Sequence, residues 1–495
     1  MRISRSPVFG SFLVLCLATG CANQTLRMAS GSVEAEREIG DKQAKAIHSV
    51  IGIDQEPKIS AYVEAVGQRL AVQAHRKDIE YRFYIVDMAV PNAFALPGGR
   101  IYVSRGLLAL VNSEDELAGA VGHEMGHVEA RHAIKRSQAT VAMAPVQIAA
   151  GLTGLAASII SHDLGSEISN APQYVLAPYS RDQEREADRI GQDIAARAGY
   201  DPRGLSTLLA TMSRQERMMG GVASDSFLET HPATPERVSA TAIYASTLVA
   251  AASDPIAKDR AQVLSQLDGL LLGDNPMKGV FLGNLFLQPW LGLRIAFPPK
   301  WHTGRASGAV GARSLDKDAV IFLRAVAVDQ ELATVVREQE KRAGVKLLDD
   351  AQQMQINGLS AIRKELATQG GKEAYWLSAT WVQVGRTVWS ILAVAPLSRK
   401  EEYAPLIDAS IEGFGRLGAA ERAKITATRM RLTQALTGES IEFVKWRTHA
   451  TGGANQLAIA NGVDKDVRFK GGELLKIFLD ETFVLPPSPV PPTTP

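Results

Sequence analysis

The sequence predicts a multidomain chain: a mainly α-helical first domain with a small edge-strand sheet, then an α/β sandwich, then a small α+β module. Three observations predict it. The length, 495 residues, suits about three domains of ~150 residues. Helical apolar periodicity dominates from about residue 35 to 250 and gives way to strand-like alternation near Trp290. Nearly every cluster of residues able to carry chemistry falls in the first of these stretches. The composition, 46% apolar and 22% charged, is ordinary for globular proteins and excludes a wholly disordered chain, a polytopic membrane protein and a collagen-like repeat. Lys and Arg number 54 against 53 Asp and Glu, a net charge of +1. That leaves no phosphate-neutralising surface, so no nucleic-acid partner is expected. Two cysteines make no disulfide framework.

Residues 1–20 have the pattern of a signal peptide. Arg2 and Arg5 form a basic start, and residues 8–17 form an apolar run too short to span a bilayer. The run ends Leu17-Ala18-Thr19-Gly20-Cys21, which resembles a bacterial lipobox, although Leu stands four rather than three residues before the Cys. The resemblance implies that Cys21 becomes the lipidated mature N-terminus. Ala22, where Asp would retain a lipoprotein, points to the outer membrane. An acyl-anchored terminus tethers a protein to one leaflet without spanning it.

Residues 21–34 read as a polar tether, 35–250 as the helical domain and 251–279 as a helical linker. The sandwich follows over 280–415, with strands expected at 293–297, 320–328, 375–382 and 387–395. A hairpin is expected through Gly385, and helices at 330–342 and 400–413. Trp376, Trp381 and Trp389 suit a core better than a binding platform. Residues 425–481 form the last small unit, and 482–495 a proline-rich extended tail. Residues 139–160 are nearly all apolar or small. Their length permits a membrane span, but Pro145, Gln147 and two glycines favour a buried or membrane-grazing hairpin.

The chemistry is concentrated at His123-Glu124-Met125-Gly126-His127. On a helix, His123 and His127 lie one turn apart on one face. They can bind one zinc ion while Glu124 serves as general base toward water there. Ser113 and Glu116 predict a capping box just before this helix. Leu117, Val121, Met125 and Val128 share an arc of about 80° that marks its buried stripe. A catalytic zinc needs a third protein ligand. His132 points roughly 140° away from His127 and is excluded from the same face, which leaves it as a supporting histidine. Glu184 is the better candidate, on a helix expected from 182 to 198 and closed by Gly199. Asp188 shares its face and suits a hydrogen bond to a ligand histidine. Glu186 points the other way, toward solvent. Ala187, Gly191 and Ala195 on this helix, and Gly119, Gly122 and Gly126 on the first, make both faces small enough for close approach.

These residues resemble the zinc metallopeptidases of the HtpX/BepA/Oma type, the group that also holds the CAAX prenyl endopeptidases. The segments that match are Asn92-Ala93-Phe94-Ala95-Leu96-Pro97-Gly98-Gly99, residues 123–132, residues 184–188 and Thr230-His231-Pro232. They span about 35–250, under half of the chain. The resemblance implies a zincin-like, gluzincin fold for that domain, with one Zn2+ held by His123, His127 and Glu184 and with Glu124 as the base. It also implies that Asn92, Ala93, Phe94 and Ala95 lie on an edge strand that pairs with the substrate backbone, a mode suited to broad specificity. In BepA-like members a His-Pro element can occupy the open zinc position and hold the enzyme latent. His231 matches it, and oxyanion stabilisation and loop packing remain open beside the latch. Arg237, just after the expected cap Thr234 and Pro235, either faces the site or ties the loop down. Residues 425–481 resemble a degenerate LysM module, which would bind peptidoglycan.

The function implied is a zinc endopeptidase of the bacterial periplasm, anchored to the outer membrane by Cys21. Its substrates would be unfolded or misassembled envelope proteins. The alternatives are a latent metalloprotein acting as a chaperone or assembly factor, and a peptidoglycan-associated scaffold. The intact Glu124 favours the enzyme, because a scaffold needs no base.

Overall fold

A computed structural model of the protein describes residues 32–54, 56–135, 179–221, 226–306, 308–343, 345–370 and 373–486. The signal-like segment, Cys21 and residues 139–160 lie outside them. Among the described residues no helix is long and apolar enough to cross a membrane. The chain divides into two compact units. The first takes the described residues of Met1–Val146, Pro172–Leu272 and Met430–Leu479, and the second those of Gly273–Arg429 and Asp480–Pro495.

The first unit begins with α1 (Val33–Val50), capped by Ser32, and α2 (Pro57–Val72), whose leading proline fits the first turn of a helix. Strands β1 (Arg82–Val86), β2 (Ala93–Leu96) and β3 (Arg100–Ser104) form a sheet in the order β1-β3-β2. β3 runs parallel to β1 and antiparallel to β2, with Ala93 opposite Val103 and Leu96 opposite Arg100. β2 is therefore an edge. Its turn into β3 needs Gly98 and Gly99, at φ 79° and 87°.

The helices follow: α3 (Arg105–Leu110), α4 (Glu114–Glu129), α5 (Arg181–Arg197), α6 (Gly204–Met219), α7 (Phe227–Thr230), α8 (Pro235–Ala245) and α9 (Arg260–Leu267), then β4 (Leu271–Leu272). α4 carries the histidine motif and is buried along nearly its whole length. Its expected capping box is half realised. Ser113 Oγ accepts the Glu116 N–H at 3.1 Å, but the Glu116 carboxylate takes the N–H of Asn112, at 2.6 Å, instead of that of Ser113. α5 starts at a complete box between Ser180 and Gln183. α4 and α5 touch through the small residues the sequence placed there. A Cβ on Gly191 would lie 2.6 Å from the main chain of Gly122 and His123, and one on Gly126 would lie 2.5 Å from the Ala187 carbonyl.

The second unit holds β5 (Val280–Leu282), β6 (Leu285–Gln288), β7 (Leu293–Ala296), β8 (His302–Ala306), β9 (Ala309–Arg313), β10 (Val320–Val328), α10 (Leu332–Ala343), β11 (Gln352–Ile356), β12 (Leu359–Gly370), β13 (Glu373–Val384), β14 (Thr387–Pro396), α11 (Lys400–Glu412), β15 (Gly415–Arg416) and α12 (Ala419–Arg422). Seven strands form one sheet, β11-β12-β13-β14-β10-β9-β8, and four form another, β15-β7-β6-β5. Val384 pairs with Thr387 across Gly385, so β13 and β14 make the expected hairpin. Trp376, Trp381 and Trp389 are all buried.

The chain then supplies β16 (Thr426–Gln434), α13 (Ile441–Thr448), α14 (Ala454–Ala460) and β17 (Leu474–Thr482), with β16 sitting between β17 and β4 in a three-stranded sheet. Met430, Ile459, Ala460 and Phe478 join the same apolar core as α4 and α5.

Candidate metal centre

Two helices and one loop converge on a single point. From α4, His123 and His127 bring their Nε2 atoms to 3.1 Å of each other. From the first turn of α5, Glu184 places Oε1 3.4 Å from His127 Nε2 and Oε2 3.6 Å from His123 Nε2. His231, just past α7, sets Nδ1 2.8 Å from Glu184 Oε1 and 3.3 Å from His123 Nε2. One donor atom from each of these four buried residues lies within 4.8 Å of the others.

This donor set fits a metal ion. Imidazole nitrogens facing one another without shared protons repel, and a cation between them removes the conflict. Imidazoles with one carboxylate suit zinc in four-fold coordination. Glu124, beside them, is fully buried; its Oε1 makes no hydrogen bond and stands 3.6 Å from His231 Nε2.

The other nitrogen of each α4 histidine is held by a partner. His123 Nδ1 donates to Asp188 Oδ1 at 2.8 Å, which leaves Nε2 bare for a metal. His127 Nδ1 faces His132 Nδ1 at 2.9 Å, and His132 Nε2 faces Glu186 Oε2 at 3.2 Å. One tautomer set satisfies both contacts and keeps His127 Nε2 bare: His132 donates through Nε2 to Glu186 and accepts the Nδ1 proton of His127. Glu186, assigned to solvent by helical phase, is half exposed yet terminates this relay.

Arg237 combines the two roles that the sequence left open. Its Nε and Nη2 donate to both Asp188 oxygens at 2.8 and 2.7 Å, and Nη1 lies 2.7 Å from Glu184 Oε2. Nη1 also donates to the His231 carbonyl at 3.0 Å, tying down the loop. These charges set the ionisation of the site. Burial alone would raise Glu184, but His231, His127 and His123 hold its carboxyl well below the usual range. For Asp188, burial is outweighed by Arg237 and His123, which hold it at about 2. Burial pulls His127 well down, toward the neutral form a ligand needs, and pushes Glu124 up, toward a proton acceptor of useful strength.

Two aromatic residues escaped the sequence reading. Tyr179 stacks on His127 with ring centroids 4.0 Å apart, and Phe227 stacks on His231 at 4.5 Å. Phe227 stands one turn before His231, and its carbonyl accepts the His231 N–H at 2.7 Å. That i, i+4 spacing was the available signal; Tyr179 offered none.

β2 borders the site. Asn92 is anchored by its N–H to Ser104 Oγ at 2.7 Å, and the side chains of Ala93 and Ala95 enter the core. Phe94 stacks on Tyr102 on the other face of the sheet. A small recess of about 10 Å³, lined by Glu36, Leu96, Pro97, Val128, Ile134 and Tyr179, lies beside His127; it has room for about one water molecule.

A profile of peptidase family M48 matches residues 57–243. The mitochondrial metalloendopeptidase OMA1 of Schizosaccharomyces pombe is 31% identical over 215 residues, covering 43% of this chain and 58% of that protein. The beta-barrel assembly-enhancing protease of Yersinia pestis is 27% identical over 216 residues, 43% of this chain and 44% of its own. That of Escherichia coli K12 is 25% identical over 212 residues, 42% and 43%. The chain thus spans about half the length of these curated relatives.

Proposed function

We propose that the protein, whose residues 57–243 match a profile of peptidase family M48, is a zinc-dependent endopeptidase of the bacterial envelope that degrades misfolded or stalled envelope proteins. The observation that carries this reading is the buried cluster of His123, His127 and Glu184 with the buried carboxylate of Glu124 beside it, whose Oε1 makes no hydrogen bond. The envelope assignment rests on the lipobox-like Cys21 and on relatives named for β-barrel assembly.

His123, His127 and Glu184 would hold the metal. When bound, the metal supplies Lewis acidity toward a peptide carbonyl and toward water. The chain supplies the rest. Glu124 takes a proton from water and passes it to the departing amine. Asp188 and the His132–Glu186 pair fix the tautomers of the two histidines. Arg237 balances Glu184 and Asp188 of α5. A substrate strand added beside β2, the terminal strand of its sheet, would be read through its main chain. His231, as the fourth donor of the set, would close the position a substrate needs once the metal is bound. That favours a latent enzyme in which the loop carrying His231 must move.

The test compares wild type, Glu124→Gln and His231→Ala on casein, with zinc content measured alongside. Glu124→Gln should lower cleavage by about 10²–10⁴-fold at equal zinc, and His231→Ala should cleave faster than wild type. Retained proteolysis in Glu124→Gln would sink the mechanism. Zinc-loaded variants that all fail to cleave would favour the chaperone alternative.

A further inference from the structure

We infer that Lys476, supplied by the C-terminal segment of the chain, is a positioning residue for the metal-ligand helix α4: its ammonium fixes the turn from which that helix starts. Its kinetic consequence rests on the peptidase reading; its structural consequence does not.

Lys476 lies on β17 and is completely buried. Its Nζ donates to the carbonyls of Ala109, Val111 and Ala460 at 2.9, 2.6 and 2.9 Å. An ammonium has three protons, and all three are taken. Ala109 and Val111 belong to the C-terminal end of α3, where carbonyls have no partner within the helix and where a cation complements the helix dipole. The Leu110 carbonyl between them accepts from Asn112 Nδ2 at 2.7 Å, and the same amide reaches Ala460 O at 3.0 Å. Asn112 in turn donates its N–H to Glu116 on the first turn of α4. Arg260 Nη2 bonds Asn112 Oδ1 and Asn461 Oδ1, both at 3.0 Å. Asn461 accepts the Lys476 N–H at 2.8 Å and returns a bond to the Lys476 carbonyl at 2.9 Å. One closed polar network therefore joins the C-terminal segment to the α3–α4 turn, inside the first unit.

Packing alone does not call for this. Burying an ammonium carries a large desolvation penalty, and an apolar side chain of the same length would fill the space without it. The lysine gives what a methionine cannot: three directed bonds to one turn. His123 follows the start of α4 by nine residues, about 13 Å of straight helix. His123 and His127 ride on α4 while Glu184 rides on α5, so a shift at the start of α4 changes the distances among the ligands.

The experiment uses the full-length, zinc-loaded protein with Lys476→Met, Arg260→Gln and a control, Val444→Ala. Val444 is buried in the core of the C-terminal segment and takes no part in the network. Three readouts are taken well below each melting temperature: amide exchange over residues 112–123, zinc release to a chelator, and kcat and KM on casein. Lys476→Met should speed exchange and zinc release about tenfold and lower kcat with little change in KM. Arg260→Gln should act in the same direction with smaller effect, and Val444→Ala should alter global stability alone. Wild-type exchange and zinc release in folded Lys476→Met would overturn the inference. If that variant does not fold, the same result in Arg260→Gln would overturn it, as would equal effects in Val444→Ala. Should no protein cleave casein, the peptidase reading fails while exchange and zinc release still decide the role of Lys476.

Discussion

The two units of the chain treat charge in opposite ways. The first buries Glu36, Glu114, Glu116, Glu124, Glu184, Asp188, Arg237 and Lys476. In the second, Arg313 is the one charged side chain buried among the described residues, and the core is Trp376, Ile391, Ile407, Phe414 and their neighbours. Each buried charge carries a desolvation penalty of several kcal/mol unless partners compensate it. A fold has no stability reason to accept that penalty repeatedly in one unit and avoid it in the other. The difference locates the chemistry independently of any motif. It also separates two kinds of robustness: the second unit depends on apolar volume, the first on the partners of its buried charges.

The strongest test of this contrast removes Arg237. Arg237→Met leaves Glu184 and Asp188 as buried carboxylates without their shared cation. In the metal-free protein this should cost about 3–5 kcal/mol in urea unfolding. In the second unit, Arg363 bonds Asp408 and Glu365, whose side chains are each 40% exposed. Arg363→Met should cost no more than about 1 kcal/mol. Equal losses for the two substitutions would show that water reaches the first site freely, and the contrast would fail.

A second test acts on geometry rather than charge. Gly191→Ala puts a Cβ against the main chain of Gly122 and His123, where nothing flexible can yield. α4 and α5 must separate, at about 1–3 kcal/mol, and the histidine pair must draw away from Glu184. Zinc affinity in a competition titration should fall. Unchanged affinity would mean that the helix pair has slack and that the small faces serve only packing.

The small faces also show what a sequence can disclose. His123, Glu124 and His127 fall within five residues, so helical phase alone places them together. The small residues of α4 and α5 could be matched because each set recurs every three or four residues and so shares one helical face. Arg237 stayed ambiguous because its partners lie 49 residues back, on a face that only the folded α5 defines. Glu186 was sent to solvent by its phase, since nothing local announces that His132 turns toward it across 54 residues. Lys476 was read as part of a separate small module, because its partners at Ala109 and Val111 lie more than 360 residues away. In the second unit, β12 mixes Arg363, Lys364 and Glu365 into a strand of twelve residues and so gave no clean alternation.

The smallest expected effect belongs to the second unit and concerns acid. Asp318 Oδ1 accepts from Tyr403 OH at 2.7 Å and Ser314 Oγ at 2.9 Å, and Oδ2 accepts from Arg399 Nη1 at 2.6 Å. Burial raises its pKa, but these three donors outweigh burial and hold it below the ordinary aspartate value. A carboxyl whose pKa is lower in the folded state stabilises the fold above its unfolded pKa of about 4 and loses that contribution as pH falls through the folded value. Asp318→Asn should therefore remove a contribution of about 1 kcal/mol or less at neutral pH and flatten the acid limb of the second unit's unfolding curve. The readout is tryptophan fluorescence, followed in urea at a series of pH values from neutral down to below the folded pKa. A variant with an unchanged acid limb would place the acid sensitivity of that unit elsewhere. A loss well beyond that size at neutral pH would mean that this half-exposed ion group acts like the buried ones of the first unit, and the distinction between the units would be one of degree.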